Sequence, residues 1–137
     1  MAKILSTTAS PVMPNDDQLI LQPVATNLVG AGTTNNTALQ RLDSDANILS
    51  PQVVVFVSAL VTGAGETYTF ALEQADDSGF TTNNETIGSK ILSDASATKE
   101  AVVFDTDSIT RSYVRLNVTL VGVASDITSG SYLAARY

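Results

Sequence analysis

In the nine residues YVRLNVTLV, at positions 113–121, the first eight alternate strictly between two kinds of side chain. One row is wholly apolar and consists of Val114, Leu116, Val118 and Leu120. The other row consists of Tyr113, Arg115, Asn117 and Thr119. A repeat of two residues is the period of a β-strand with one buried face, and it does not fit a helix. The segment therefore predicts a strand whose apolar row lies in a core, and it leaves open what the polar row faces.

Strand patterns recur along most of the chain. Residues 67–74 alternate in the same way, while 53–61 form a continuous, β-branched apolar run that is typical of a strand covered on both faces. The short glycine-bearing stretch 62–66 between them predicts a hairpin. Turn residues at 125–130 predict that the strand beginning at Tyr113 folds back into 131–137. Further strands are expected at 18–24, 86–92 and 101–104.

Short strands with turn signals every 8–12 residues or so predict an all-β, antiparallel β-sandwich of the jelly-roll kind. The length of 137 residues is typical of one domain. Residues 1–17 contain Pro11 and Pro14 and lack alternation, so we interpret 1–17 as an extended N-terminal arm and 18–137 as the sandwich. The arm is either a frayed terminus or a segment that becomes ordered against a neighbour. In the second case its anchors are Ile4, Leu5, Val12 and Met13.

The chain contains neither histidine nor cysteine. This excludes Ser-His and Cys-His nucleophiles and every zinc site built on imidazole or thiolate. The candidate carboxylate pairs, Asp43/Asp45, Asp76/Asp77 and Asp105/Asp107, all stand among turn-forming residues. Residues 43–47 match the D-x-D-x-N start of a calcium-binding loop. The rest of that motif is missing, because Ile48 and Val54 occupy its glycine and glutamate positions. We expect no enzyme, and no catalytic, cofactor or metal site.

The net charge of −7 disfavours nucleic acid as a partner, because the seven basic residues are scattered and phosphate binding needs basic patches. The sequence shows no apolar run of the length, about 18 residues, that crosses a bilayer. It also shows no secretory signal, so we expect a protein made in a cytoplasm with no membrane partner.

The basic and aromatic residues of the last third, Arg111, Tyr113 and Arg115, are the remaining candidates for an interface. Arginine in mid-strand is costly to bury unless its planar fork meets carboxylates or carbonyls. Arg115 therefore either faces solvent or forms an ion pair, within the chain or between subunits. Tyrosine and arginine are both enriched where proteins meet, so we predict that this row contacts protein.

Four segments together resemble a known family. They are QVVVFVSALV at 52–61, YTFALEQADDSGF at 68–80, the R-x-Y-x-R-L-N pattern at 111–117, and the terminal SGSYLAARY. Their order looks like that of the small jelly-roll decoration, or cement, proteins on the capsids of tailed bacteriophages. Ser112 separates Arg111 from Tyr113 where the family pattern has them adjacent, and residues 1–49 do not match it.

The resemblance implies a structural virion protein on the capsid exterior. Such a protein commonly forms a homotrimer and ties neighbouring copies of the major capsid protein together. The alternative is a phage fibre or baseplate module that recognises a cell-surface carbohydrate, for which an exposed Phe80 would be a natural platform. A self-assembling tail-tube subunit and a carboxylate enzyme are further alternatives.

Overall fold

The structure, a computed structural model, describes residues 20–35, 39–40, 51–61, 65–93, 101–123 and 125–134. These residues form strands and their connections. The strands are β1 (Ile20–Val29), β2 (Gly32–Asn35), β3 (Leu39–Gln40), β4 (Gln52–Leu60), β5 (Thr67–Ala75), β6 (Glu85–Ser93), β7 (Ala101–Asp105), β8 (Tyr113–Val121) and β9 (Asp126–Ala134). The predicted arm, including Ile4, Leu5, Val12 and Met13, lies outside the described residues.

The strands form two antiparallel sheets. Sheet A has the order β1-β9-β4-β7, and sheet B has the order β2-β8-β5-β6, with β3 pairing β8 beyond β2. Except for the β5–β6 hairpin, the chain passes to the other sheet at each connection between the eight main strands. Two packed sheets with this non-sequential order are the arrangement of a jelly roll. The predicted fold class is confirmed.

The core between the sheets follows the period of two. In β8 the four residues of the apolar row, Val114, Leu116, Val118 and Leu120, are at most 3% exposed, as predicted. In β5 the apolar row, Tyr68, Phe70 and Leu72, is buried against them. Sheet A contributes the inward residues of β4, and Ile127 and Leu133 of β9. One hydrophobic core therefore joins strands that are distant in sequence.

Two predicted connections are wrong. Strands β4 and β5 do not form a hairpin: β4 pairs β7 and β9 in sheet A, whereas β5 pairs β6 and β8 in sheet B. Strand β8 likewise does not fold back on β9, which lies in the other sheet and runs through the predicted turn at Ser129 and Gly130. In both cases the connection is short, contains glycine or serine, and joins strands of opposite sheets. The apolar faces of the two strands then pack toward each other across the core, which buries more apolar surface than a local hairpin would.

Candidate functional site

The polar row of β8 lies on the outer face of sheet B. Strand β8 is flanked by β5 on one side and by β2 and β3 on the other, so it is an inner strand. Its outward residues are therefore half-buried. The hydroxyl groups of Thr119 and Thr33 are 3.0 Å apart, and Thr119 also donates to Asn117 Oδ1 at 3.2 Å. Thr119 is therefore hydrogen-bonded within the chain, both to β2 and to the next outward residue of its own strand.

Arg115 forms an ion pair within the chain. Its Nε donates to Glu73 Oε2 at 2.6 Å, across the β5–β8 register, and the two side chains are 17% and 14% exposed. The guanidinium carbon lies 4.1 Å from the centre of the Phe80 ring. The sequence left open whether Arg115 faces solvent or forms an ion pair, within the chain or between subunits. The structure shows the ion pair within the chain. The carboxylate and the aromatic face together compensate for the desolvation of the guanidinium.

Phe80 is only 6% exposed, so the exposed aromatic platform that would favour carbohydrate binding is absent from this loop. The reason lies in the preceding turn. Asp77 accepts the backbone N–H groups of Thr81 and Thr82, at 3.0 and 2.7 Å, which closes the loop tightly. Phe80 itself adopts a φ of 56° and places its ring beneath Arg115.

Arg111 is also paired with acids of its own chain. Its Nη1 lies 3.1 Å from Asp76 Oδ1, and its Nη2 lies 3.5 Å from Glu85 Oε2. Asp76 accepts a second hydrogen bond, from Asn83 Nδ2 at 2.6 Å. The hydrogen bonds donated by Asn83 and Arg111 lower the pKa of Asp76, and the hydrogen bond that Arg111 donates to Asp76 raises the pKa of Arg111.

Of the candidate carboxylate pairs, the structure describes Asp76/Asp77 and Asp105/Asp107. The hydrogen bond from the Thr82 N–H makes the largest contribution to lowering the pKa of Asp77. The pKa of Asp76 is lowered by its hydrogen bonds from Asn83 and Arg111. A glycosidase general acid needs the opposite, a raised pKa. Asp105 accepts Gln52 Nε2 at 3.0 Å, Asp107 is exposed, and Asp43 and Asp45 lie outside the described residues. The described acids thus close turns or pair with their neighbours.

The depressed pKa of Asp77 leads to a prediction about acid stability. Because the folded pKa lies below the ordinary value of 3.8, the ionised carboxylate stabilises the fold above that pH, and this contribution is lost as the pH falls through the folded value. Asp77→Asn should therefore lower the melting temperature at pH 7 and flatten its fall between about pH 4 and pH 2. Calorimetry over this range tests the prediction, with Asp107→Asn as the control. Parallel curves for wild type and Asp77→Asn would contradict it.

A second prediction concerns the Arg115 pair. Arg115→Ala should leave the domain folded but lower its melting temperature by about 4 °C, since a half-buried pair contributes roughly 1 kcal/mol. A double-mutant cycle with Glu73→Ala isolates the coupling. Arg115→Lys is the control that keeps the charge and loses the fork geometry. Additive single effects would show that the pair contributes nothing. Light scattering on Arg115→Ala tests the interface role, for which we expect weaker association.

One end of the sandwich carries four exposed valines that sequence reasoning missed. We call it the valine end: Val29, Val61, Val121 and Val123, which are 69, 40, 52 and 101% exposed. These residues lie at or just beyond the ends of β1, β4 and β8. Backbone hydrogen bonds connect the loops at this end, for example from Gly30 N–H to Ser125 O at 2.8 Å. The available signal is Val121-Gly122-Val123, an apolar pair around a glycine at a strand end.

The valine end presents almost no charge. Among the described residues there, the acids are Glu66, which is 7% exposed, and Asp126, which is half-buried and accepts Asn27 Nδ2 at 2.8 Å. The opposite end differs sharply, because strands β5, β6 and β7 begin or finish there at exposed acids. These are Asp76, Glu85, Asp105 and Asp107. The molecule therefore has an apolar end and an acidic end.

The described residues contain no group of three or more potential metal ligands. Within the same part of the chain there is no helix with the length and apolar character needed to cross a membrane. No protein-family model matches this chain, and no curated protein sequence matches it. What the molecule does must therefore be inferred from its surfaces.

Proposed function

We propose that this protein is a capsid decoration protein, which binds the outside of an icosahedral phage head and reinforces contacts between major capsid subunits. The observation that carries the proposal is the valine end. Several exposed apolar side chains gathered at one end of a domain favour that end as a surface that binds protein. The sequence resemblance to cement proteins supports the same function independently.

In the proposed mechanism, the protein contacts the shell through the valine end and holds neighbouring capsid subunits together. Burial of the four exposed valines against the shell contributes at most about 6 kcal/mol, and the loss of translational and rotational freedom on association, about 4–15 kcal/mol, offsets most of it, so a single copy binds weakly. A homotrimer whose members engage neighbouring capsid subunits gains through effective concentration, without any new contact. The acidic end then points away from the shell, where mutual repulsion between decorated sites keeps virions dispersed. Opening the shell requires that these contacts break first.

The long-range pairing of the sandwich suits a mechanical role. Strand β9, the last of the described strands, pairs with β4 on one side and with β1, the first strand, on the other. The first and last described strands are therefore held side by side in one sheet. A force applied at the valine end is distributed over both sheets rather than concentrated in one hairpin. The proposed location is the exterior of the virion, and the proposed partners are the major capsid protein and further copies of this chain.

Cosedimentation with purified empty capsids tests the proposal. The wild-type protein should pellet with capsids at low salt, and Val121→Asp/Val123→Asp should bind at least about tenfold more weakly, because a docked carboxylate is desolvated without a partner. Ser78→Asp/Thr110→Asp is the matched control: it adds the same two carboxylates at exposed positions near the opposite end of the sandwich, and this variant should bind like wild type. Wild-type protein that stays in the supernatant would contradict the proposal.

The fibre or baseplate alternative predicts binding to glycans, and a glycan array separates it from decoration. The tail-tube alternative predicts rings or filaments of the isolated protein, whereas decoration predicts discrete trimers in light scattering. Buried Phe80 removes the particular feature that favoured the carbohydrate alternative.

A further inference from the structure

The inner face of sheet A carries three buried polar side chains beside the apolar core. They are Gln22 of β1 and Ser129 and Ser131 of β9, which are 0, 1 and 3% exposed. The register places Gln22 opposite Ser131, and it places Ser131 and Ser129 opposite the core residues Val55 and Val57 of β4. Side chains that lie opposite each other in a sheet share a face, so all three polar groups point into the sandwich. We call Gln22, Ser129 and Ser131 the polar core cluster.

The protein itself satisfies only part of this cluster. Ser129 Oγ donates a hydrogen bond to Gln22 Oε1 at 3.1 Å. In contrast, Gln22 Nε2 and Ser131 Oγ are buried and have no hydrogen-bond partner among the described residues. A buried amide or hydroxyl group without a partner costs the whole free energy of its desolvation, so nearly all such groups in native proteins are paired with protein or with ordered water. These two atoms therefore need a partner that the described side chains do not supply.

The backbone around Gln22 is irregular. The register between β1 and β9 shifts on both sides of Gln22, and residues 23–25 of β1 are matched by Gly130 alone. This bulge contains Pro23, which has no N–H group, and Ala25, which adopts a φ of 65°. A bulge interrupts the ladder of backbone hydrogen bonds between two strands. The edge strand β1 is thus joined less regularly to β9 at the point where the two unpaired polar atoms lie.

We propose that the polar core cluster binds one water molecule, which accepts a hydrogen bond from Gln22 Nε2 and forms another with Ser131 Oγ. Cβ atoms of opposite residues in a sheet are about 4.5–5.5 Å apart, so one water can reach both groups. Buried waters typically bond to polar groups that are otherwise unsatisfied. The ligand is water because no member of the cluster is more than 3% exposed, which leaves a larger molecule no access.

The bound water connects β1 to β9 where the ladder is interrupted, and it helps to hold the edge strand in its register. The site lies inside one sandwich and involves no residue of the valine end. The inference therefore does not depend on the proposed function.

Two serine variants form a matched pair, because both serines are buried on the same face of β9. Ser129→Ala removes a hydrogen bond to Gln22, and it should lower the melting temperature by about 4 °C. Ser131→Ala should lower the melting temperature by a similar amount, because the bound water loses a partner. Without a water, the same substitution removes an unsatisfied buried hydroxyl and raises the melting temperature. A rise for Ser131→Ala would therefore overturn the proposal.

Oxygen-17 relaxation dispersion of the solvent detects the water directly, because it counts water molecules that stay bound for longer than the protein takes to tumble. The wild-type protein should show one more such water than Gln22→Met/Ser131→Ala, which replaces both proposed ligands with apolar groups. Ser129→Ala keeps both ligands and should show the wild-type count. Equal counts for the wild type and the double variant, each shown to be folded by its melting curve, would also overturn the proposal.

Discussion

Replacing Leu116 with aspartate should prevent the domain from folding at 25 °C. Leu116 is fully buried in β8 and lies opposite Leu72 of β5, at the centre of sheet B. The substitution removes the burial of one leucine, about 2–3 kcal/mol, and forces a carboxylate into a site without a cation, which costs several kcal/mol more. The sum is comparable with the whole free energy of unfolding of an ordinary domain, about 5–15 kcal/mol.

The neighbouring residue supplies the control. Asn117→Asp places the same carboxylate on the outer face of the same strand, where an acceptor for the Thr119 hydroxyl is retained. Circular dichroism should show a folded sandwich for this variant and a disordered or aggregated chain for Leu116→Asp. Leu116→Ala should lie between them, destabilised by about 2–5 kcal/mol in urea titrations. A folded Leu116→Asp would mean that the apolar row of β8 is not the core.

The strands were predictable because a two-residue period is a local property. Residues 67–74 and 113–121 alternate with few exceptions, such as Gln74 and Val121, and the corresponding strands β5 and β8 pair along their length. Connections were less predictable, because a short turn is compatible both with a hairpin and with a crossing to the opposite sheet. The choice between them depends on which faces meet, as β4 shows by pairing with β7 and β9 instead of β5.

The contacts of the candidate interface residues were also not predictable from local sequence patterns. The sequence identifies Arg115 as a residue that needs a partner, but its partners Glu73 and Phe80 are supplied by the register of β5 and by the loop that follows it. The interface role assigned to Arg111, Tyr113 and Arg115 remains a prediction. The valine end could not be found from periodicity, because Val29, Val61 and Val121 come from separate strands that only the fold brings together.

The turn that carries Val121 and Val123 depends on Gly122, and replacing this glycine should be costly. Gly122 has a φ of +120°, a conformation that residues with a Cβ rarely adopt. A Cβ built there would lie 2.0 Å from Glu66 Oε2 and 2.3 Å from Glu66 Cδ. Glu66 is itself buried at 7% exposure, so its carboxylate has little room to move without losing its surroundings. Strain and overpacking together should cost roughly 3 kcal/mol or more in Gly122→Ala.

Gly65→Ala separates the two causes. Gly65 also has a positive φ, of +88°, but a Cβ there meets nothing within 4 Å, so this variant carries backbone strain alone, about 1 kcal/mol. Urea titrations of both variants should show Gly122→Ala the less stable by about 2 kcal/mol. Because the same turn positions two members of the valine end, Gly122→Ala should also weaken capsid binding under conditions where it remains folded, whereas Gly65→Ala should bind more nearly like wild type. Equal stability losses would show that Glu66 yields freely, and that backbone conformation alone determines the turn.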